Sequence, residues 1–235
     1  MIKEGIEKVL ELAKVESFED PYGRKYWSKP LTAAAPALPK TLHLHTLEGL
    51  VDLVEAEDLK ECMAIIGGPF VVELVGQRDK AWQNRSIYAQ AEAFPCDFRF
   101  NSYMDIENFI IQVQRFFVED KVKKDIIDAV SKVTGESVVI AEDDGAAQQV
   151  TKKDGIGRKE KAKMNPMVEL APWRTFREIE QPKDKYLLRF SKNEPGCLPN
   201  VALFTAGGDL WQLEAVERIH KYLTEKLPKD VAVIR

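Results

Sequence analysis

Apolar residues along this chain recur with two different periods, and the period identifies the element. "IEKVLELAKV" sets Ile6, Val9, Leu10 and Ala13 at helical spacing, so an amphipathic helix is expected at the start. "TLHLHT" alternates Leu42 and Leu44 with His43 and His45, the period of a short strand. Thr46 is then placed to cap a helix carrying Leu47, Leu50, Val51 and Val54. "AIIGGPFVVELVG" and "SIYAQAEAF" read as strands, with a break at Gly67-Gly68-Pro69. "DIENFIIQVQRFFV" presents Ile106, Phe109, Ile110, Val113, Phe116 and Phe117 as one wide stripe behind an Asp105 cap. "KVKKDIIDAVSKVTG" repeats the pattern with Val122, Ile126, Ile127, Val130 and Val133, and Gly135 fits its C-terminal stop. These two stretches predict a helical hairpin.

"SVVIAEDDGAAQQV" predicts a strand, an Asp-Gly turn and a second strand. "MVELAPWRTFREIEQP" and "KYLLRFS" are extended in character, and Pro166, Pro172 and Pro182 suit an edge position. The end of the chain reads as a strand, a Gly-Gly turn and a long helix with Val216, Ile219, Leu223 and Leu227 on its apolar face. Asp209 with Gln212 has capping-box spacing. "VAVIR" predicts one last strand. Strands and helices are interleaved and neighbouring strands are close enough for hairpins. The expected fold is therefore α+β, with a mainly antiparallel sheet, a helical hairpin and a long C-terminal helix.

Two stretches escape this periodicity. Residues 1–40 hold the first helix and then, from Asp20 to about Lys40, a proline-rich loop or arm containing Tyr22, Tyr26 and Trp27. Residues 143–165 form a polar excursion, expected to protrude as a hairpin or loop. No repeat or linker divides the 235 residues, so a single domain is expected.

Bulk chemistry narrows the classes. An apolar fraction of 45% allows a normal core, and a net charge of -4 does not mark a nucleic-acid-binding chain as a whole. The cysteines, Cys62, Cys96 and Cys197, are odd in number and form no Cys-x-x-Cys pair. A disulfide scaffold or structural zinc is not expected, and a reducing cytoplasm is the simplest compartment. Lys and Glu are mixed through the N-terminus, unlike a signal peptide. No apolar run approaches the roughly 20 residues that span a bilayer. No membrane association and no cofactor are expected.

Candidate chemistry is sparse. His43 and His45 share a strand face, as metal ligands would, but the remaining histidine is His220 on the last helix. Asp143 and Asp144 precede Gly145 as turn residues do, and a catalytic or metal-binding carboxylate is the competing reading. "TAGGDLWQ" joins a strand to a helix, where N–H groups can hold an anion. Yet it lacks a dinucleotide fingerprint or Walker lysine, and Asp209 brings a negative charge there. Hydrolase and protease signatures are missing as well. The expectation leans away from an enzyme, with no catalytic residue and no metal ligand assigned.

The basic excursion is the stronger candidate. Lys152, Lys153, Arg158, Lys159, Lys161 and Lys163 are opposed there by Asp154 and Glu160. They could follow a phosphate backbone, lie against a neighbouring subunit, or be a solvated loop. The next stretch, read as a strand, puts Trp173, Thr175, Arg177 and Ile179 on one face and Arg174, Phe176, Glu178 and Glu180 on the other. Neither face is cleanly apolar, and aromatic residues with arginine are typical of interfaces. Trp173, Arg174, Phe176 and Arg177, with Tyr26 and Trp27 of the arm, are therefore the candidate interface residues.

These same motifs carry a resemblance. "DGAAQQVTKKDGI" followed by "NPMVELAPWRTFREIEQP" resembles the YfdQ-like family of phage and prophage proteins. The matching positions are Asp144, Gly145, Gln148, Val150, Thr151, Gly155, Ile156, Asn165, Pro166, 170–176 and 180–182. "ALFTAGGDLWQLEAVERIHKYL" resembles the family's ending, so the likeness covers about the second half of the chain. The family has no established activity, and the resemblance supplies no catalytic residues. It implies a phage-encoded protein of the bacterial host cytoplasm, sometimes in the company of DNA recombination functions. The expected function is thus a non-enzymatic homo-oligomer for assembly or interaction. A nucleic-acid-binding accessory factor is the alternative, and a metal-dependent hydrolase built on Glu142, Asp143 and Asp144 is the third reading.

Overall fold

The protein is described here from a computed structural model covering residues 17–27, 39–80, 83–133, 138–140, 149–154, 158–163, 166–191 and 197–235. For residues 17, 18, 26 and 27, and for the strands between 138 and 163, the description extends to backbone pairing. The helix expected around Ile6 to Ala13, the Asp143-Asp144-Gly145 turn and the Gly135 stop lie outside the described residues.

The fold is α+β, and two hydrophobic cores organise it. The first is built on a mixed five-stranded sheet ordered β13-β4-β5-β6-β3. Its strands are β3 (Leu42–Leu44), β4 (Met63–Ile66), β5 (Val71–Arg78), β6 (Arg85–Glu92) and β13 (Ala232–Ile234). The three middle strands pair antiparallel, while both edges, β3 on β6 and β13 on β4, are parallel. Parallel neighbours need a long crossover. Here the chain returns by way of helices α1 (Leu47–Ala56) and α4 (Leu210–Lys226). Ala64, Ile66, Val72, Leu74, Ala89 and Ala91 point inward at alternate positions, against Leu47, Leu50 and Val54 of α1 and Ile219 and Leu223 of α4. The α1 cap is the one the sequence predicts: Gly49 N–H donates to Thr46 Oγ1 at 3.1 Å.

The second core lies between the antiparallel sheet β10-β11-β12 and a helical hairpin. The strands are β10 (Met167–Leu170), β11 (Asp184–Phe190) and β12 (Val201–Thr205). The hairpin is α2 (Ile106–Phe116) with α3 (Lys121–Ser131). Phe109, Val113, Ile126 and Val130 fill it from the helices, and Leu170, Tyr186, Leu188 and Leu203 from the strands. Phe98, Phe100, Phe117 and Tyr186 form an aromatic cluster inside. Asp105 caps α2 through Asn108 N–H at 2.9 Å. The buried Lys123 closes the other end, where its Nζ donates to Gln114 O and Phe117 O, both at 3.1 Å, and pairs with Glu119 at 2.9 Å.

Two smaller sheets complete the fold. β1 (Ser17–Glu19) pairs with β2 (Lys25–Trp27), which falls inside the stretch the sequence reads as irregular. The cause is a local turn: Asp20 Oδ1 accepts the N–H groups of Tyr22 and Arg24, and Gly23 takes φ +80°. The polar excursion contributes β8 (Gln149–Asp154) and β9 (Arg158–Lys163) to a three-stranded antiparallel sheet with β7 (Val138–Ile140).

Two local expectations are corrected. Asp209 makes no side-chain cap, because it and Gly208 sit in the left-handed region at φ +60° and +64°. It is the Asp209 carbonyl that receives Gln212 N–H. The strand expected over 173–182 also does not form: β10 ends at Leu170 and β11 begins at Asp184.

Candidate functional site

The irregular segment 171–183 organises the candidate site. Pro172 and Pro182 lack the N–H of a ladder residue, so continuing the sheet would leave gaps. The chain instead crosses to α2, with Val118 N–H on Ala171 O at 2.9 Å and Trp173 N–H on Phe116 O at 2.7 Å. One buried side chain then replaces the missing ladder. Gln181 Oε1 accepts from Arg174 N–H (3.2 Å) and Thr175 N–H (3.3 Å), and its Nε2 donates to Phe176 O (2.8 Å) and Ile179 O (3.2 Å). That uses the full capacity of an amide.

The rest of the segment locks onto both cores. Phe176 and Ile179 enter the first core, and Thr175 Oγ1 donates to Pro69 O. Glu178 accepts the N–H groups of Leu47 and Glu48 at 2.5 and 3.3 Å, where a carboxylate suits the α1 N-terminus. Arg218 of α4 holds Glu180 O at 2.8 Å.

Arg174 is the pin. It is 7% exposed, its guanidinium lies 3.5 Å from the centre of the Trp211 ring, and its Nη2 donates to Asp184 Oδ2 at 3.0 Å. A cation over an indole face, paired with a carboxylate, is how a buried arginine is tolerated. Asp184 in turn explains "TAGGD". A Cβ on Gly207 would fall 1.6 Å from Asp184 Oδ1, so this glycine provides room for the carboxylate. Tyr186 lies beside the pair, and burial pushes its phenol well above its ordinary pKa. Its hydroxyl finds no hydrogen-bond partner among the described residues.

Beside this pin lies an open surface of mixed character. A cleft of about 290 Å³ is floored by Trp211 and Leu210 and rimmed by Glu169, Lys183, Lys185 and Glu214. Leu210 and Leu213 are 69% and 71% exposed, one turn apart on α4. Phe70, 45% exposed, meets the Trp211 ring edge-on at 5.8 Å. Ala93 N–H bonds to Phe70 O and brings the exposed Phe94 alongside, stacked on His45 at 4.8 Å.

The residues singled out from sequence are distributed differently. Arg174 and Phe176 are buried within the chain and present no surface. Trp173 is half-buried, with the exposed Arg177 at 5.8 Å from its ring. Tyr26 and Trp27 lie in β2, opposite Phe18 and Ser17, and their side chains are outside the described residues. Lys152, Lys153 and Arg158, Lys159, Lys161, Lys163 fall on the paired strands β8 and β9. The exposed Phe70 and Phe94, and the exposed Leu210 and Leu213, are not among the residues that the sequence singles out. The one readable signal is that Leu210 and Leu213 stand off the buried stripe of Trp211, Ala215, Ile219 and Leu223.

Among the described residues, no group of three His, Cys, Asp or Glu side chains could hold a metal. No described helix is long and apolar enough to cross a membrane. Comparison with family models, curated proteins and solved structures finds no match to this chain.

Proposed function

We propose that this protein is a self-assembling protein of phage or prophage type, working as a homo-oligomer in the bacterial host cytoplasm. Its subunits meet on the open face at the start of α4. The observation that carries this reading is the exposed Phe70 set against the Trp211 ring beside Leu210 and Leu213, which stand exposed one turn apart on the same helix. Exposed large apolar side chains are ordinary when scattered, but grouped and rimmed by charge they mark association surfaces.

A second copy is the occupant that the charges favour. The rim carries Lys183 and Lys185 beside Glu169 and Glu214, all exposed. A patch bearing both signs is self-complementary, since a twofold axis can bring the lysines of one copy over the glutamates of the other. The phage-protein likeness of the 144–182 motifs supports the cellular context.

Light scattering of the full chain on a sizing column tests the reading. The native protein should have a defined mass above that of the monomer. Phe70→Glu with Leu213→Glu should reduce it to a monomer without lowering the thermal midpoint, because both positions are solvent-exposed in the isolated chain. A native monomer at every concentration, or an assembly indifferent to both changes, would remove this reading.

A further inference from the structure

The register of β8 and β9 sorts charge between the two faces of their sheet. Cα-paired residues on antiparallel strands share a face, and so does every second residue along each strand. One face takes Val139, Val150 and Ala162 in a row, followed by the pairs Lys152–Glu160 and Asp154–Arg158. Every charge at those positions stands opposite one of the other sign. The other face takes Val138 and Ile140 of β7 beside Thr151 and Gln149, with Lys161 opposite Thr151, Lys163 opposite Gln149, and Lys153 opposite Lys159. It collects four lysines and, within β7, β8 and β9, no carboxylate.

Like charges placed directly opposite destabilise a strand pair. The sequence keeps one such pair, Lys153–Lys159, although the neighbouring positions on the same strands are matched by sign. A polyanion laid along this face would relieve the repulsion. Alternate residues of a strand advance by about 6.7 Å, close to the spacing of neighbouring phosphates along one backbone of a duplex. Lys159, Lys161 and Lys163 are alternate residues of one strand. Neither β8 nor β9 has an aromatic residue, so stacking on unpaired bases has no platform there.

We infer that the face of β8–β9 bearing Lys153, Lys159, Lys161 and Lys163 binds the phosphate backbone of duplex nucleic acid without reading its sequence. The inference is independent of the association surface at α4, and failure of either leaves the other standing.

The test is fluorescence anisotropy of a labelled mixed-sequence DNA duplex with the full chain across a salt series. Four phosphate contacts give a log–log slope of about -3.6, a loss of roughly 150-fold in affinity between 50 and 200 mM salt. Lys153, Lys159, Lys161 and Lys163 changed together to Gln should abolish binding, and each single change should flatten the slope by about 0.9. Lys152→Gln with Arg158→Gln removes two cations from the other face and should leave the slope as it was. Circular dichroism melts of each variant separate lost binding from lost folding. The inference is overturned if no binding occurs at 50 mM salt. It is also overturned if the Lys152/Arg158 variant loses as much slope per charge removed, since the faces would then be equivalent. Binding to phosphatidylserine vesicles without binding to the duplex would overturn it in favour of a membrane surface.

Discussion

Segment 171–183 and the β8–β9 hairpin are close in the chain and similar in kind, both rich in charge and punctuated by Pro or Gly. They end in opposite situations. In the first, Arg174, Thr175 and Gln181 are buried, with the backbone around them bonded to one amide side chain. In the second, the register separates charge-matched positions from a face of lysines. Polarity of sequence therefore does not decide what is buried here. What decides it for most of these groups is a partner within the chain, with Arg174 Nε and the Tyr186 hydroxyl as buried exceptions. Groups so partnered hold the fold, and those left in excess are available to something outside it.

The sharpest way to break this contrast is Gln181→Leu. The change leaves Thr175 N–H, Phe176 O and Ile179 O without their partner, while Arg174 N–H keeps Pro172 O at 2.9 Å. At about 1–3 kcal/mol for each buried group, the loss should be about 3 kcal/mol or more. That is a large part of the stability of an ordinary domain. Urea denaturation would show it as a collapse of the midpoint. Lys153→Gln in the hairpin is the matched control and should move the midpoint by no more than about 0.5 kcal/mol. Equal effects at the two positions would mean that the segment does not tie the cores together.

The Arg174–Asp184 pair gives the next largest effect. Arg174→Ala removes the cation from Trp211 and leaves a carboxylate with 5% of its side chain exposed. Breaking a buried pair from one side costs about 3–5 kcal/mol. Arg174→Leu combined with Asp184→Leu should cost less than Arg174→Ala alone, because no charge is then stranded. If the double variant is the worse of the two, the pair stabilises the fold beyond its own desolvation.

These two sites also mark where sequence reading stopped. The caps at Thr46 and Asp105, and the stripes of α1, α2 and α3, were legible because a helix writes its buried face into local spacing. The parallel pairing of β3 and β13 was not, since neither short strand records which distant neighbour it joins. Residues 173–182 resemble an edge strand in sequence because extended residues are found together with Pro172 and Pro182 there. The competing force, four bonds to Gln181, exists only once the chain has folded back on itself. Arg174 suggests a surface by its residue type, whereas Trp211 and Asp184 bury it. The open face at α4 was legible only as two leucines out of phase.

A smaller effect of the opposite sign is expected at Tyr186. Its ring stacks on Phe100 at 5.1 Å and is needed, but its hydroxyl is buried without a partner among the described residues. Tyr186→Phe keeps the ring and removes the group that burial penalises, so stability should rise by about 1 kcal/mol. A fall instead would place the hydroxyl among the partnered groups and extend the Arg174–Asp184 network by one member.

The smallest effect separates a partnered surface charge from the buried ones. Asp105 accepts from Asn108 N–H at 2.9 Å and from Asn108 Nδ2 at 2.8 Å. The backbone bond first, and then the side-chain bond, hold its carboxyl below the ordinary aspartate range. A group whose pKa is lowered by folding contributes stability that is present above its unfolded value and lost as pH falls through the folded one. The α2 cap should therefore weaken only in the acid range. Asp105→Asn keeps an acceptor at the cap and has no proton to gain. Its thermal midpoint should lie slightly below that of the native chain at neutral pH, and the two curves should converge as the pH falls below the aspartate range. Curves that stay parallel across that range would show that the carboxylate charge contributes nothing to the cap, and that at this helix the geometry of the acceptor is sufficient.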